Sequence, residues 1–494
     1  MYLGIDLGTS ELKLLLLDEH HRIVASLGEP LTVSRPQALW SEQAPADWWK
    51  ALDTAMQRLR VVTPAVTAAV RAIGLSGQMH GAVLLDAHDT ILRPAILWND
   101  GRSAAQCAAL EAAVPELHAI AGNIAMPGFV APKLLWVREH EPELFVRTAR
   151  VLLPKDWLRL QLTGEYVREM SDASGTLWLD VGQRCWSDRL LAACGLARAH
   201  MPRLVEGNAV SGYLRPALAE RWGLRAGTAV AGGGGDNAAS AVGIGAVRPG
   251  QGFVSLGTSG VIFLADDRFR PLPRSTVHAF CHALPERWHR MSVMLSAASA
   301  LRWVRDLLGL PSEAALLERV AGLTPAQRAR APLFLPYLSG ERSPHNDPNA
   351  QGVLFGLTHA HDAAAIGYAV VEGVSFGLAD GWASLQSEPG AAGALSLVGG
   401  GARSALWAQL LASALGVTMR CHAAGAAGAA LGAARLAWLA DGGDESDVCR
   451  VPAVAREVRP DAAETELLAP RLERFRALYP ALRGQFAITP GEPQ

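Results

Sequence analysis

The tetrapeptide Leu-Gly-Thr-Ser occurs twice, at residues 7–10 and 256–259, each time between two apolar runs. Leu3-Gly4-Ile5-Asp6 precedes the first copy and the leucine-rich 12–17 follows it. Phe253-Val254-Ser255 precedes the second and Val261-Ile262-Phe263-Leu264 follows. A strand–turn–strand unit repeated half a chain apart predicts two related halves, each opening with a hairpin. A Rossmann unit is disfavoured, because it would pass from strand through glycine turn to helix, and 12–17 opens with no helix cap. Gly, Thr and Ser in a turn present amides and hydroxyls to an anion, so both turns can cradle phosphate. The same residues also form ordinary hairpin turns. At 494 residues the chain exceeds what one core holds. The expected division is 1–247, then 251–440 after a linker at 248–251, with 441–494 as peripheral helices and a tail.

A second pattern lies mid-chain. The apolar 229–231 runs into Gly232-Gly233-Gly234-Gly235, then Asp236, then small residues to 243. This reads as strand, tight turn and helix start. Glycine permits the turn and a close ligand approach. Asp236 either caps the helix or projects from the loop rim into whatever lies above it. A parallel device follows the strand at 396–398: Gly399-Gly400-Gly401-Ala402-Arg403-Ser404, then a helix to 415, suited to a nucleotide's base and ribose. Two loops suit a polyol: Ser76-Gly77-Gln78-Met79-His80-Gly81 and Leu97-Trp98-Asn99-Asp100-Gly101-Arg102. A structural histidine and a solvated turn explain them equally well. Residues 171–176 read as a hydroxyl-rich polar loop, and helices are expected over 45–59, 133–137, 295–308, 363–385 and 425–439.

Composition removes several classes. With half the residues apolar and a net charge of −2, there is no electrostatic case for nucleic acid or an anionic membrane. The N-terminal residues show no secretory pattern and no apolar run reaches about 18 residues. Six scattered cysteines fit a reduced, cytoplasmic setting. There is no P-loop, no clustered Cys/His metal set and no G-x-S-x-G elbow. What remains is two phosphate-type turns, two glycine devices and two acids at strand ends, Asp6 and Asp236. Phosphoryl transfer needs such parts: amides around the phosphates, a carboxylate near the metal and a carboxylate to take the hydroxyl proton.

The duplicated turn, Ile5-Asp6-Leu7-Gly8-Thr9 and the 399–402 segment resemble the sugar-kinase/actin/heat-shock ATPase superfamily. Within it the chain resembles the FGGY carbohydrate kinases from end to end, through SGQMHG at 76–81, LWNDGR at 97–102, LLPKDWLRL at 152–160, GGDNAASAVG at 234–243 and LPYLSGER at 335–342. The motifs are closest to the branch acting on D-xylulose. The resemblance implies an α/β fold of two ribonuclease-H-like domains with a catalytic cleft between them, and ATP and Mg2+ as cofactors. It implies Asp236 as the base taking the proton from the sugar's terminal hydroxyl, and Asp6 as the acid near metal and transferred phosphate. Gln78, Met79, His80, Trp98 and Asn99, with Asp236, would bind the sugar. Thr9, Ser10, Gly257, Thr258 and Ser259 would hold phosphates, and Gly400, Gly401 and Ala402 adenosine.

Three positions depart from the family pattern: Glu11 after the first turn, Val130 and Ala365. Glu11 would repel phosphate if it pointed inward, so it is expected to face solvent. Three competing readings are a sibling kinase for another ketopentose, polyol or aldonate, a non-catalytic nucleotide switch, and a dinucleotide dehydrogenase. The switch has no use for Asp236 and the 76–81 loop, and the dehydrogenase lacks G-x-G-x-x-G spacing. The partners expected are a small sugar and ATP. Monomer and homodimer both remain open.

Overall fold

The computed structural model describes residues 1–272, 275–386, 393–423 and 428–486. It contains two large mixed sheets of the same design. In the first, Ile23–Pro30, Glu11–Leu17 and Tyr2–Leu7 form an antiparallel meander. Ala72–Gly77 and then Ala229–Ala231 add in parallel. In the second, Trp288–Met294, Gly260–Asp266 and Gly252–Leu256 form the meander, and Ala394–Val398 and Thr418–His422 add in parallel. An antiparallel strand closes the far edge of each, Val210–Tyr213 in the first and Val454–Val458 in the second. The duplicated Gly-Thr-Ser turn therefore joins the first two strands of each sheet, and each parallel neighbour ends beside that turn. The two α/β layers have the ribonuclease-H-like order that the family resemblance implies.

The central strands read as continuous apolar runs because helices cover both faces. In Tyr2–Leu7 every residue but Asp6 is buried. The helix Gly428–Ala440, which follows the last parallel strand of the second sheet, lies on the first sheet, against Tyr2–Leu7 and Ala72–Gly77. Glycines make this contact possible: a Cβ on Gly4 would stand 2.0 Å from the Ala430 carbonyl oxygen, and one on Gly74 1.8 Å from that of Ala433. The helix Asp236–Ile244 crosses it at equally close range, and its Ala241 and Ile244 pack with Phe253 and Phe263 of the second sheet. The halves therefore exchange helices. A second shared cluster joins Met79, Phe129 and Trp178 of the first half to Val261, Phe280, Cys281, Met291 and Val293 of the second.

Two expectations need correction. The described residues after 441 are not all peripheral: Val454–Val458 is a sheet strand, and Ala462–Leu482 places Leu468 and Phe475 in the core, while 487–494 lie outside the described residues. There the Arg471 guanidinium grips Glu372 at 2.6 and 2.7 Å. Residues 171–176 are not an exposed loop but a buried turn of helix, Met170–Ser174, and its exit. The expected helix over 425–439 is seen as Gly428–Ala440; 425–427 lie outside the described residues. The helix Ala363–Leu385 is long and apolar enough to cross a membrane, yet 78% of its most apolar window is buried inside the protein, as in a core helix.

Candidate active site

The glycine run is shaped by what surrounds it. Gly233 has φ +79°, and a Cβ there would lie 2.0 Å from the Leu75 carbonyl oxygen. Gly232 is as tightly placed against Glu206. The buried Arg159 guanidinium donates to the carbonyls of Ala231 and Gly232 at 2.7 and 2.5 Å. Gly234–Gly235 then pairs with the end of the Ala72–Gly77 strand, next to Leu7. Asp236 is the first residue of the helix, and its N-cap is Gly235, not Asp236. The Asp236 Oδ1 accepts from the amide and side chain of Asn237, at 2.8 and 3.0 Å. Its Oδ2 takes no hydrogen bond from the described residues. The carboxylate is half-buried, with one oxygen free to meet a ligand.

Asp6 stands at the end of the first strand, opposite Lys13 on one side and Ser76 on the other. Burial pushes its carboxyl up to about 6, while Ser76 and Lys13 pull it down. Burial and then the Asp6 charge push Asp236 up to about 7. The fold thus brings the two acids, 230 positions apart in sequence, within electrostatic reach. The Asp6 Oδ1 is buried and has no hydrogen-bond partner among the described residues. Glu11 is exposed and lies over Gly28, so it faces solvent as expected.

The 76–81 loop sits next to this pair. Met79 is wedged between glycines: a Cβ on Gly235 would stand 2.8 Å from its Sδ, and one on Gly175 3.0 Å from its Cε. His80 has φ +67°, uncommon for a residue with a Cβ, and its Nδ1 lies 2.7 Å from the Gly175 carbonyl oxygen. Only a protonated Nδ1 satisfies that carbonyl, so Nε2 is left as an acceptor for a hydroxyl. Burial holds the ring neutral, pushing it down to about 3, with Lys133 adding to the effect. Lys133 donates to the carbonyls of His80 and Gly128 at 2.7 and 2.8 Å and locks the loop. Gln78 and Trp98 join the first turn: Thr9 Oγ1 lies 3.3 Å from Gln78 Oε1 and accepts from Trp98 Nε1 at 3.0 Å. Asn99 is exposed, and no hydrogen bond ties it to the others among the described residues.

On the second sheet, Gly257 and Thr258 line a cavity of about 790 Å³ together with Gly400 and Gly401. That volume suits a nucleotide-sized ligand. Gly399, at φ +92°, and Gly401 pack on Leu256, the residue before the turn, closely enough that a Cβ would stand 2.7 and 2.4 Å from its atoms. The turn also fixes the start of the helix Ala298–Leu307: the Ala298 amide donates to the Gly257 carbonyl at 2.8 Å, and the N-cap Ala297 amide to that of Thr258 at 3.0 Å. Ser259 closes the turn by accepting from the Gly257 amide. Ala402 lines a neighbouring cavity of about 720 Å³ with Asn237 and Ser255. The first turn carries Thr9 and Ser10 at the corresponding place on the other sheet.

Two contributors are not singled out as site residues by the sequence, although Arg159 lies within the 152–160 motif. Arg159 and Lys133 look in sequence like solvated helix charges, yet both are buried and brace loops of the site. Their signal is a charge inside an otherwise apolar helix face, which sequence alone assigns to either side.

Two duplicated sheets, a Gly-Thr turn on each and an acid pair beside a polar loop define a two-domain sugar-kinase-type ATPase fold. The pattern of the FGGY family of carbohydrate kinases matches over both its domains, the N-terminal one at residues 1–243 and the C-terminal one at 252–440. The chain belongs to the FGGY family of carbohydrate kinases. It is 52% identical to a xylulose kinase of Escherichia coli (strain K12), over 98% of this chain and 99% of that one. It superposes on a crystal structure titled xyloylose kinase from Brucella ovis with TM-score 0.94 at 50% identity, covering 98% and 99% of the two chains. A gluconate kinase from Lactobacillus acidophilus shares the fold at TM-score 0.91 and 24% identity over 98% and 99%.

Proposed function

We propose that the protein transfers the γ-phosphoryl group of ATP to the terminal hydroxyl of D-xylulose, giving D-xylulose 5-phosphate. The xylulose kinases at half identity over nearly the whole chain support the sugar. The observation that carries the chemistry is the Asp236–Asp6 pair: two acids raised by burial, Asp236 further by the Asp6 charge, beside the sugar-type loop. Asp236 is the general base. Its free oxygen accepts the O5 proton as the oxygen attacks phosphorus, and a carboxylate titrating near neutrality suits that task. His80 accepts a sugar hydroxyl at Nε2, and Met79, Gln78 and Trp98 wall the sugar.

Gly257, Thr258 and Ser259 on one sheet and Thr9 and Ser10 on the other flank the phosphates. Gly400, Gly401 and Ala402 border the adenosine. The division of labour places sugar and base in 1–247 and nucleotide in 251–440. No cluster of three or more metal-ligating side chains occurs among the described residues. A magnesium ion arriving with ATP needs only one or two carboxylates, and the unpartnered Asp6 oxygen offers one. When bound, magnesium neutralises charge on the phosphates. Packing of Phe129, Phe280 and Met79 around the sugar side excludes water from the transferred group.

A coupled ATP-turnover assay over ketopentoses, polyols and aldonates tests the reading. D-xylulose is expected to give the highest kcat/KM, and a clear preference for another sugar class refutes the substrate. Asp236→Asn is expected to lose at least about 1,000-fold in kcat while still binding ATP; near-normal turnover refutes the base.

A further inference from the structure

The turn from Glu169 to Thr176 has no part in the reaction as described, yet it touches three parts of the site. Ser171 Oγ accepts from the Gly235 amide at 3.0 Å, one peptide before Asp236. The Gly175 carbonyl accepts from His80 Nδ1 at 2.7 Å. Ser174 Oγ accepts from the Cys281 amide at 3.0 Å, on an edge strand of the second sheet. The turn is fully buried and held from behind: Ser171 Oγ donates to Glu169 Oε1 at 2.9 Å, and Lys155 Nζ donates to the same oxygen at 3.2 Å.

We propose that Ser171 is a positioning residue for the general base, and that its turn fixes the spacing between Asp236 and His80. The argument is one of donors and acceptors. The Gly235 amide lies in a dry place, and glycine on both sides of it leaves the backbone free to rotate. Its one fixed acceptor is the Ser171 hydroxyl, whose proton is committed to Glu169. With that proton committed, the hydroxyl meets the Gly235 amide as an acceptor. Without it the Gly235 amide loses its hydrogen bond, and the Gly234–Gly235 segment retains its pairing with Ser76–Gly77. A reacting oxygen displaced by about 1 Å costs roughly 100-fold in rate, so small rotations here reach kcat. Nucleotide contacts on the second sheet would be untouched.

The inference rests on Asp236 being the base, and the experiment separates the two. Ser171→Ala, Ser171→Thr and Asp236→Asn are compared in the full-length protein by steady-state kinetics, ATP titration calorimetry and thermal unfolding. The expected result for Ser171→Ala is a fall of about 10- to 100-fold in kcat, with ATP affinity and KM for ATP unchanged. Ser171→Thr, which restores the hydroxyl, recovers most of the loss. If Ser171→Ala turns over within 2-fold of wild type, the inference is overturned. It is equally overturned if kcat and ATP binding fall together, or if Thr rescues folding but not kcat. Should Ser171→Ala not fold, Glu169→Gln is the second variant. It keeps shape but frees the Ser171 proton to reorient, and kcat is again expected to fall with ATP affinity intact. Normal turnover in Asp236→Asn would instead sink the base assignment itself.

Discussion

At the residue scale, the raised Asp236 carboxyl links function to stability. Its ordinary value is near 4, and burial with the Asp6 charge lifts it to about 7. Between those values the folded state holds a proton that the unfolded state has released. Stability therefore falls as pH rises from about 4 to about 7, and the full penalty persists above. Asn cannot ionise and escapes the penalty. Asp236→Asn should thus match wild type in Tm near pH 4, gain about 2–4 °C by pH 7.5, and gain no more beyond. A Tm difference independent of pH refutes the shift. Gly175→Ala is a second probe. The backbone there, φ −73° and ψ 3°, accepts alanine, but its Cβ would stand 2.6 Å from the His80 ring. KM for the sugar should rise about 10-fold with KM for ATP unchanged; a parallel rise in both would place the clash elsewhere. Asp236, His80 and Met79 were legible as candidates because glycines and turn residues announce loops. Ser171 and Gly175 were not, since a hydroxyl-rich stretch reads as surface until its burial is known.

At the scale of elements, the strands and the two turns were readable because apolar runs broken by Gly-Thr-Ser leave few alternatives. The alanine-rich helix Gly428–Ala440 was also readable as a helix, but not its partner. Its small residues serve backbone-to-backbone contact, and nothing local says which sheet they meet. Gly432 is the tightest point: a Cβ would lie 1.7 Å from the Ala239 carbonyl oxygen in the crossing helix. Neither backbone can yield without tilting a helix. Gly432→Ala should cost about 1–3 kcal/mol by overpacking, even though alanine favours the helix by roughly 1 kcal/mol. Denaturant unfolding measures the balance, and a stabilised variant would show that the crossing has slack. Because Asp236 begins the crossing helix, the same variant should also lose kcat. The misreading of 441–486 as peripheral has a similar cause. Charges and prolines mark surface on average, but Arg471 is buried against Glu372 and three carbonyls, and no local pattern reveals that pairing.

At the scale of the molecule, the repeat suggests two separable domains, and the exchanged helices argue otherwise. The 1–247 half lacks the helix that covers Tyr2, Leu15, Leu17 and Ala72 on its own sheet. It also lacks Phe280, Met291 and Val293, which share an apolar cluster with Met79 and Phe129. Expressed alone, 1–247 would present one sheet face and one loop cluster of apolar side chains to water, which burial in the intact chain prevents. The fragment is therefore expected to aggregate or to lack cooperative unfolding, and co-expression with 251–494 to recover a soluble, active complex. A monomeric 1–247 with a sharp thermal transition and a dispersed amide spectrum would refute this. The consequence for catalysis is direct. Asp236 follows Gly234–Gly235, which pairs with the first sheet, whereas the turn that carries Thr258 belongs to the second. Any rotation of one sheet against the other therefore moves Asp236 relative to Thr258, while Met79 and His80 keep their distance from Asp236 through Gly175 and Gly235.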